Sequence, residues 1–181
     1  MSGTLKEEAI ALYVKSRIGV PDGIAITLLH MSDNSLTVVS AMDNDVSENS
    51  IFTLPIGIDN VSEKYFKHNP PTEAEIENAI MLVEDEVMPL RKLLQPESRL
   101  ISFDKDILLI AELAGSTLES DPIDLSVHDV ESVFTRLAAI ITGRPASFDV
   151  LPTTNHFAAI LLILREFMHH IGFVKIEVLK H

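Results

Sequence analysis

Apolar and polar residues recur along this chain in two periods, and each switch between them marks an element. Residues 4–17 place Ala9, Leu12, Tyr13 and Ser16 on one face at helical spacing, so a first helix is expected there. Gly19-Val20-Pro21-Asp22-Gly23 ends it with turn chemistry. Residues 24–31 are a β-branched and apolar run that reads as a buried strand. Ser32-Asp33-Asn34-Ser35 reads as a tight turn, because Asp and Asn tolerate left-handed backbone and bond locally. Residues 36–42 are expected to return as a second strand, residues 43–49 to form a polar acidic loop, and residues 50–56 to make a third strand. Three strands joined by short turns predict an antiparallel meander at one side of a sheet.

The period then changes. Residues 61–67 read as a short helix, broken by His68-Asn69-Pro70-Pro71. Thr72-x-x-Glu75 is a capping box that opens a long helix. Ile76, Ile80, Val83, Val87, Leu90 and Leu94 form one apolar stripe, with Pro89 inside it expected to kink or divide the helix near Asp85. Residues 99–103 read as a fourth strand, residues 105–114 as a helix and residues 115–125 as a loop. Ser126-x-x-Asp129 opens another helix, with Val130, Val133, Phe134, Leu137, Ile140 and Ile141 inward and Gly143-Arg144-Pro145 as its stop. Thr153 or Thr154 caps a last long helix carrying Phe157, Ile160, Leu161, Leu164, Met168 and Ile171, and Gly172 suits its C-cap. Residues 174–179 follow as a strand, expected beside residues 99–103. The order predicts an α/β fold, a mixed sheet with a three-strand antiparallel meander and helices on its faces. No internal repeat or low-complexity linker interrupts it, so residues 1–181 are read as a single domain.

Composition narrows the function classes. The formal net charge is −13, which argues against nucleic acid, anionic membranes and long polyanions as partners. The 14 basic residues are scattered, whereas a polyphosphate channel needs them gathered. No apolar run reaches the ~18 residues of a membrane span, and no basic start followed by an apolar stretch marks a secretory signal. The absence of cysteine excludes disulfides and thiol catalysis and fits a cytoplasmic protein.

Several short segments resemble the exopolyphosphatase/guanosine-pentaphosphate phosphatase (Ppx/GppA) family over its C-terminal actin-like domain. Ser2-Gly3, then Glu7-Glu8-Ala9 with Leu12-Tyr13, is similar to the family's Ser-Gly-x-Glu-Glu-Ala-x-Leu-x-Tyr helix start, with two extra residues after Gly3. Leu54-Pro55-Ile56-Gly57 resembles its Leu-Pro-Leu-Gly, and Pro70-Pro71-Thr72 with Pro89-Leu90 its Pro-Pro-Thr helix ending in Pro-Leu. Residues 144–151, Ala159-Ile160-Leu161 and residues 174–178 resemble the Arg, apolar helix and strand before its C-terminal Gly-Leu-Arg-Glu-Gly. The resemblance implies an actin-like ATPase (ribonuclease H-like) domain. It also implies self-association through this domain, since the family often dimerises there, and a glutamate at Glu8 in the place of the one that orients the attacking water.

The departures fall on the phosphate loops. Active members carry Asp-x-Gly-Gly-Gly-Ser-Thr between the first two strands, where bare main chain cradles phosphate. Here that turn reads Leu29-His30-Met31-Ser32-Asp33-Asn34-Ser35, without glycine and with an aspartate that would repel the anion. A second loop, Gly-Gly-Thr in the family, falls near Ser102-Phe103-Asp104-Lys105, again with glycine gone and an aspartate added. His30, Ser32, Asp33, Ser35, Ser102, Asp104 and Lys105 are therefore the degenerate phosphate-loop positions. The sequence ends at His181, short of the Gly-Leu-Arg-Glu-Gly segment, and lacks a counterpart for most of the family's first domain, so the two-domain cleft is not expected within this chain.

Other chemistry is thinner. Glu166 and His170 stand four residues apart and could share a metal, but no third ligand is evident, and His169-His170 reads as a solvated helix end. His30 with Asp33 could form an acid–base pair, although a surface turn is the plainer reading. Asp43-Asn44-Asp45 with Glu48 lacks the glycine and final glutamate of a calcium loop. Asp104-Lys105-Asp106 and Glu84-Asp85-Glu86 read as helix-end and surface charge, and Glu8 equally as an acid suited to the first turn of its helix. No metal or cofactor is expected, with Mg²⁺ reserved for a working phosphatase. Three functions remain: a non-catalytic binding or regulatory domain acting on a protein partner or a second copy; a phosphoanhydride hydrolase completed by another domain or chain, with Glu8 as base; and an unrelated α/β interaction domain.

Overall fold

The computed structural model describes residues 2–180, with side chains from residue 5 onward. Met1 and His181 lie outside the described residues, as do the side chains of the Ser2-Gly3 match. Six strands form one mixed sheet: β1 (Ala25–Met31), β2 (Leu36–Met42), β3 (Ile51–Leu54), β4 (Arg99–Ser102), β5 (Ile123–Ser126) and β6 (Lys175–Val178). Their spatial order is β3-β2-β1-β4-β6-β5. β1, β2 and β3 are the expected antiparallel meander, and β4 and β6 extend it in parallel with β1. Alternation along each strand gives the sheet two apolar faces.

Helix α1 (Ser2–Ser16) covers one face, where Ala9 and Tyr13 pack on Ile26, Leu28, Val39, Ala41, Ile101 and Phe103. The other face carries the larger core and five helices: α2 (Ile58–Tyr65), α3 (Glu73–Val87), α4 (Lys105–Ala114), α5 (Val127–Ile141) and α6 (Asn155–Ile171). α6 runs through the middle of that layer and touches the other four. Residues 157–164 are therefore buried on every side, which explains why this stretch is apolar all round rather than striped. Thr154 caps α6 by accepting the Phe157 N–H, and Gly172 ends it at φ +95°, a region glycine enters at little cost.

The structure corrects several expected boundaries. α3 does not divide near Asp85 but runs to Val87. Pro89 lacks an N–H and sits at the start of a 3-10 turn, Met88–Lys92, where none is needed. The turn keeps Leu90 and Leu94 on the buried stripe. The expected loop at residues 115–125 contains β5, an edge strand of four residues entered from Pro122, with Ile123 and Leu125 inward. Such a short run following a proline gives little periodicity to read. The third strand starts one residue later than expected, after a 3-10 turn at Glu48–Ser50, and ends two residues earlier, at Leu54 before Pro55, which has no N–H to pair. α2 begins at Ile58 rather than Val61, because its first N–H groups find acceptors in the β1–β2 turn.

Candidate functional site

β1 and β4 are parallel neighbours, with Leu28 opposite Ile101, so their C-terminal ends reach the same edge of the sheet. That register brings His30 and the β4–α4 junction together. The Asp104 carboxylate lies between them: Oδ1 is 2.7 Å from His30 Nδ1, and Oδ2 accepts the Met31 main-chain N–H at 2.7 Å. The Asp104 N–H in turn donates to the buried Ser102 Oγ at 3.1 Å. The side chains of His30 and Asp104 are 14% and 10% exposed. The hydrogen bond to Asp104 holds the His30 imidazole above its ordinary pKa; burial opposes this, and the fields of Asp104 and of Glu8 on α1 add to it.

The β1–β2 turn is closed by its own side chains. Ser32 N–H donates to Ser35 O at 2.9 Å, Ser32 Oγ to the same carbonyl at 3.0 Å, and Ser35 N–H to Ser32 Oγ at 3.1 Å. The start of α2 is turned onto this loop. Ile58 N–H donates to Ser32 O at 3.0 Å and Asp59 N–H to Asp33 O at 2.7 Å, while Asn60 Nδ2 reaches Asn34 O at 2.8 Å. These carbonyls occupy a helix N-terminus that would otherwise suit an anion. Gly57 permits the approach, since a Cβ there would stand 2.2 Å from the Asn34 carbonyl carbon and the Ser35 nitrogen.

Of the positions that the sequence resemblance set in degenerate phosphate loops, the structure gathers His30, Ser102 and Asp104, with Glu8 within electrostatic reach. Ser32, Asp33 and Ser35 belong to the separate closed turn, and Lys105 is exposed at the first residue of α4. His30 pairs with Asp104 rather than Asp33, because the Asp33 main chain is turned toward α2. Asp104 is thus an enclosed partner and not surface charge. The signal for it lay in the parallel β1–β4 pairing, which local sequence does not encode. Glu8 is exposed, and its side chain makes no hydrogen bond or ion pair among the described residues. It lies beyond the first turn of α1, which begins at Ser2, so the helix-dipole reading of Glu8 does not hold.

The remaining candidates have structural partners. Asp43 accepts from Arg17 at 3.2 Å and from the Gly23 N–H at 2.7 Å, tying the α1–β1 connection to the end of β2. His170 is not a solvated end: its Nε2 lies 3.0 Å from the buried Glu166, which also binds Arg165, itself bonded to Glu131 of α5 at 2.9 Å. Among the described residues no group of three or more His, Cys, Asp or Glu is arranged to hold a metal, and no helix is long and apolar enough to cross a membrane. The His30 cluster can carry a proton between imidazole and carboxylate. Its main-chain donors are already engaged, Met31 N–H by the Asp104 carboxylate and Asp104 N–H by Ser102 Oγ.

The fold is that of the actin-like ATPase domains of solved Ppx/GppA structures. The Aquifex aeolicus Ppx/GppA family member aligns at a TM-score of 0.74 and 20% identity, over 96% of this chain and 58% of that one. An exopolyphosphatase from Cytophaga hutchinsonii aligns at 0.69 and 14% identity, over 95% and 59%. An exopolyphosphatase-like protein aligns at 0.66 and 13% identity, over 90% and 59%. This chain thus spans less than two thirds of the length of each. No protein-family profile and no curated protein sequence matches it.

Proposed function

We propose that this chain is a phosphatase-like scaffold used for binding or regulation, without phosphohydrolase chemistry of its own. One observation carries the reading: the protein's own groups take up main-chain donors of the β1–β2 turn, the first place where a phosphate would meet main chain. Asp104 presents a carboxylate to the Met31 N–H, and in the next turn the Ser32 and Ser35 N–H groups bond within the turn while the Ser32, Asp33 and Asn34 carbonyls accept from α2. Phosphoryl transfer depends on positioning and on neutralising the anion, so a fixed carboxylate in that place opposes it. Glu8 then serves no reaction. The module acts in the cytoplasm on a protein partner or on a second copy of itself, and its acidic balance disfavours nucleic acid and polyphosphate.

A phosphate-release assay with polyphosphate, guanosine pentaphosphate and ATP, each with Mg²⁺, tests this. No turnover above a buffer blank is expected. Turnover that disappears in Glu8→Ala would overturn the reading. A second reading, a hydrolase completed by another domain or chain, is favoured by the length comparison: each aligned structure has about two fifths of its chain outside the match. A second polypeptide that restores Glu8-dependent turnover on mixing would establish it.

A further inference from the structure

The opposite edge of the sheet, where β4 and β6 begin, opens into a cavity of about 590 Å³. Its wall comes from the 3-10 turn after α3, the segment leading into β4, the end of α6 and the start of β6. Four cations line it, Arg91, Lys92, Arg99 and Lys175, against two carboxylates, Glu97 and Glu177, so its local balance is positive in a molecule of net charge −13. Glu177 is buried and fully engaged: Arg99 grips it through two hydrogen bonds and Lys175 stands 3.6 Å away. Lys175 also binds Asp124 at 2.8 Å. Arg91 and Lys92 differ. Both are exposed, and neither side chain makes a hydrogen bond or ion pair among the described residues.

The cavity is also shaped and tethered. Leu94 and Leu100 give it a buried apolar floor and Phe173 a half-buried aromatic side. Gln95 N–H donates to Ser40 Oγ at 2.9 Å, and Ser98 Oγ lies 2.7 Å from Thr27 Oγ1, so two points of the rim are fastened to the sheet. Between them Glu97 is held at φ +54°, a left-handed conformation that costs a non-glycine residue on the order of 1 kcal/mol and persists only where its surroundings enforce it. A fastened rim lowers the ordering cost of binding. The volume falls within the roughly 300–1,000 Å³ of small-molecule sites.

We propose that this cavity binds a small organic anion, in which a phosphate, sulfonate or carboxylate head is joined to an apolar body. Arg91 and Lys92 supply free positive charge for the head. Leu94, Leu100 and Phe173 supply the apolar wall for the body. The site is independent of the reading above, because it shares no residue with the His30–Asp104 cluster.

Anilinonaphthalene sulfonate, an organic anion of this class, serves as the probe, titrated into the full chain at low ionic strength and followed by amide NMR. Saturable binding is expected, with shifts confined to residues 91–100 and 171–177. The double variant Arg91→Glu/Lys92→Glu should bind about tenfold more weakly or worse, since it turns two attractions into repulsions. Lys6→Glu/Lys64→Glu makes the same charge change at exposed lysines elsewhere and should bind as the unmodified chain does. Arg91→Ala/Lys92→Ala, which adds no repulsion, should fall between the two. The proposal is overturned by shifts centred elsewhere, by the absence of saturation, or by equal weakening in the Arg91/Lys92 and Lys6/Lys64 variants.

Discussion

Replacing Asp104 with alanine removes one acceptor from two donors, the Met31 N–H and the His30 imidazole, both at 2.7 Å. Asp104 is also the N-cap residue of α4, but its side chain makes no capping bond, so the loss is confined to this edge of the sheet. A hydrogen bond to a charged group contributes about 1.5–3 kcal/mol, and water can recover part of the loss at an edge that is not sealed, so Asp104→Ala should cost about 2–4 kcal/mol. For a chain of this length that lowers Tm by about 5–15 °C. In urea, the midpoint should fall with an unchanged slope. The pH dependence separates the two bonds. His30 has a folded-state pKa raised above its ordinary 6.5, so its contribution is fully present below that value and is lost as pH rises through the folded pKa. The gap between the two proteins should therefore be widest in mildly acidic solution and narrow as pH rises, leaving the Met31 bond as the residue. An NMR titration should show the His30 midpoint dropping in Asp104→Ala. A cost below about 0.5 kcal/mol, or an unmoved His30 midpoint, refutes the reasoning.

Two further perturbations test neighbouring arguments. Gly57→Ala places a Cβ 2.2 Å from the Asn34 and Ser35 main chain, so the turn or α2 must move; a cost of about 1–3 kcal/mol is expected in urea denaturation, with loss of the Ser32 and Ser35 amide protection against hydrogen exchange. Asp149 accepts two hydrogen bonds from Arg136 and one each from the Val150 and Leu151 N–H groups, with the Arg136 bonds foremost in holding its pKa at about 2. Its contribution is present above the ordinary carboxylate value and lost as pH falls toward about 2, so Asp149→Asn should flatten the acid limb of the stability profile, measured as urea midpoint against pH.

The sequence was most readable where one element suffices to explain itself. The Thr72/Glu75 and Ser126/Asp129 capping boxes form as their spacing predicts, because capping is chemistry within four residues. The Ser32–Ser35 turn and the Gly172 cap are readable for the same reason. The misses are tertiary. β5 is a strand only because β6 offers it a partner, and its four residues carry too little pattern alone. Asp104 lies 74 residues from His30, and only the β1–β4 register joins them. Arg91, Lys92, Arg99 and Lys175 looked scattered along the chain because they come from three separate segments. Charge counts describe a whole surface and cannot reveal such a local reversal.

On the proposed reading, the Asp104 contact bears on how an anion site would be lost. Replacing glycine in a phosphate loop adds bulk, yet bulk alone leaves the main-chain N–H groups seeking an acceptor. Here that requirement is met from within at Met31, Ser32 and Ser35. The Asp104 carboxylate takes the Met31 N–H, and the Ser32 hydroxyl takes the Ser35 N–H. An external phosphate would have to displace a tethered carboxylate that has already lost its freedom on folding, so it competes at an entropic disadvantage as well as against like charge. Asp104→Ala opens the Met31 donor but leaves the Ser32–Ser35 closure and the α2 contacts intact. A phosphate cradle at this edge therefore needs the Asp104 contact and the turn closure opened together, and the single variant should lose stability without acquiring phosphate binding.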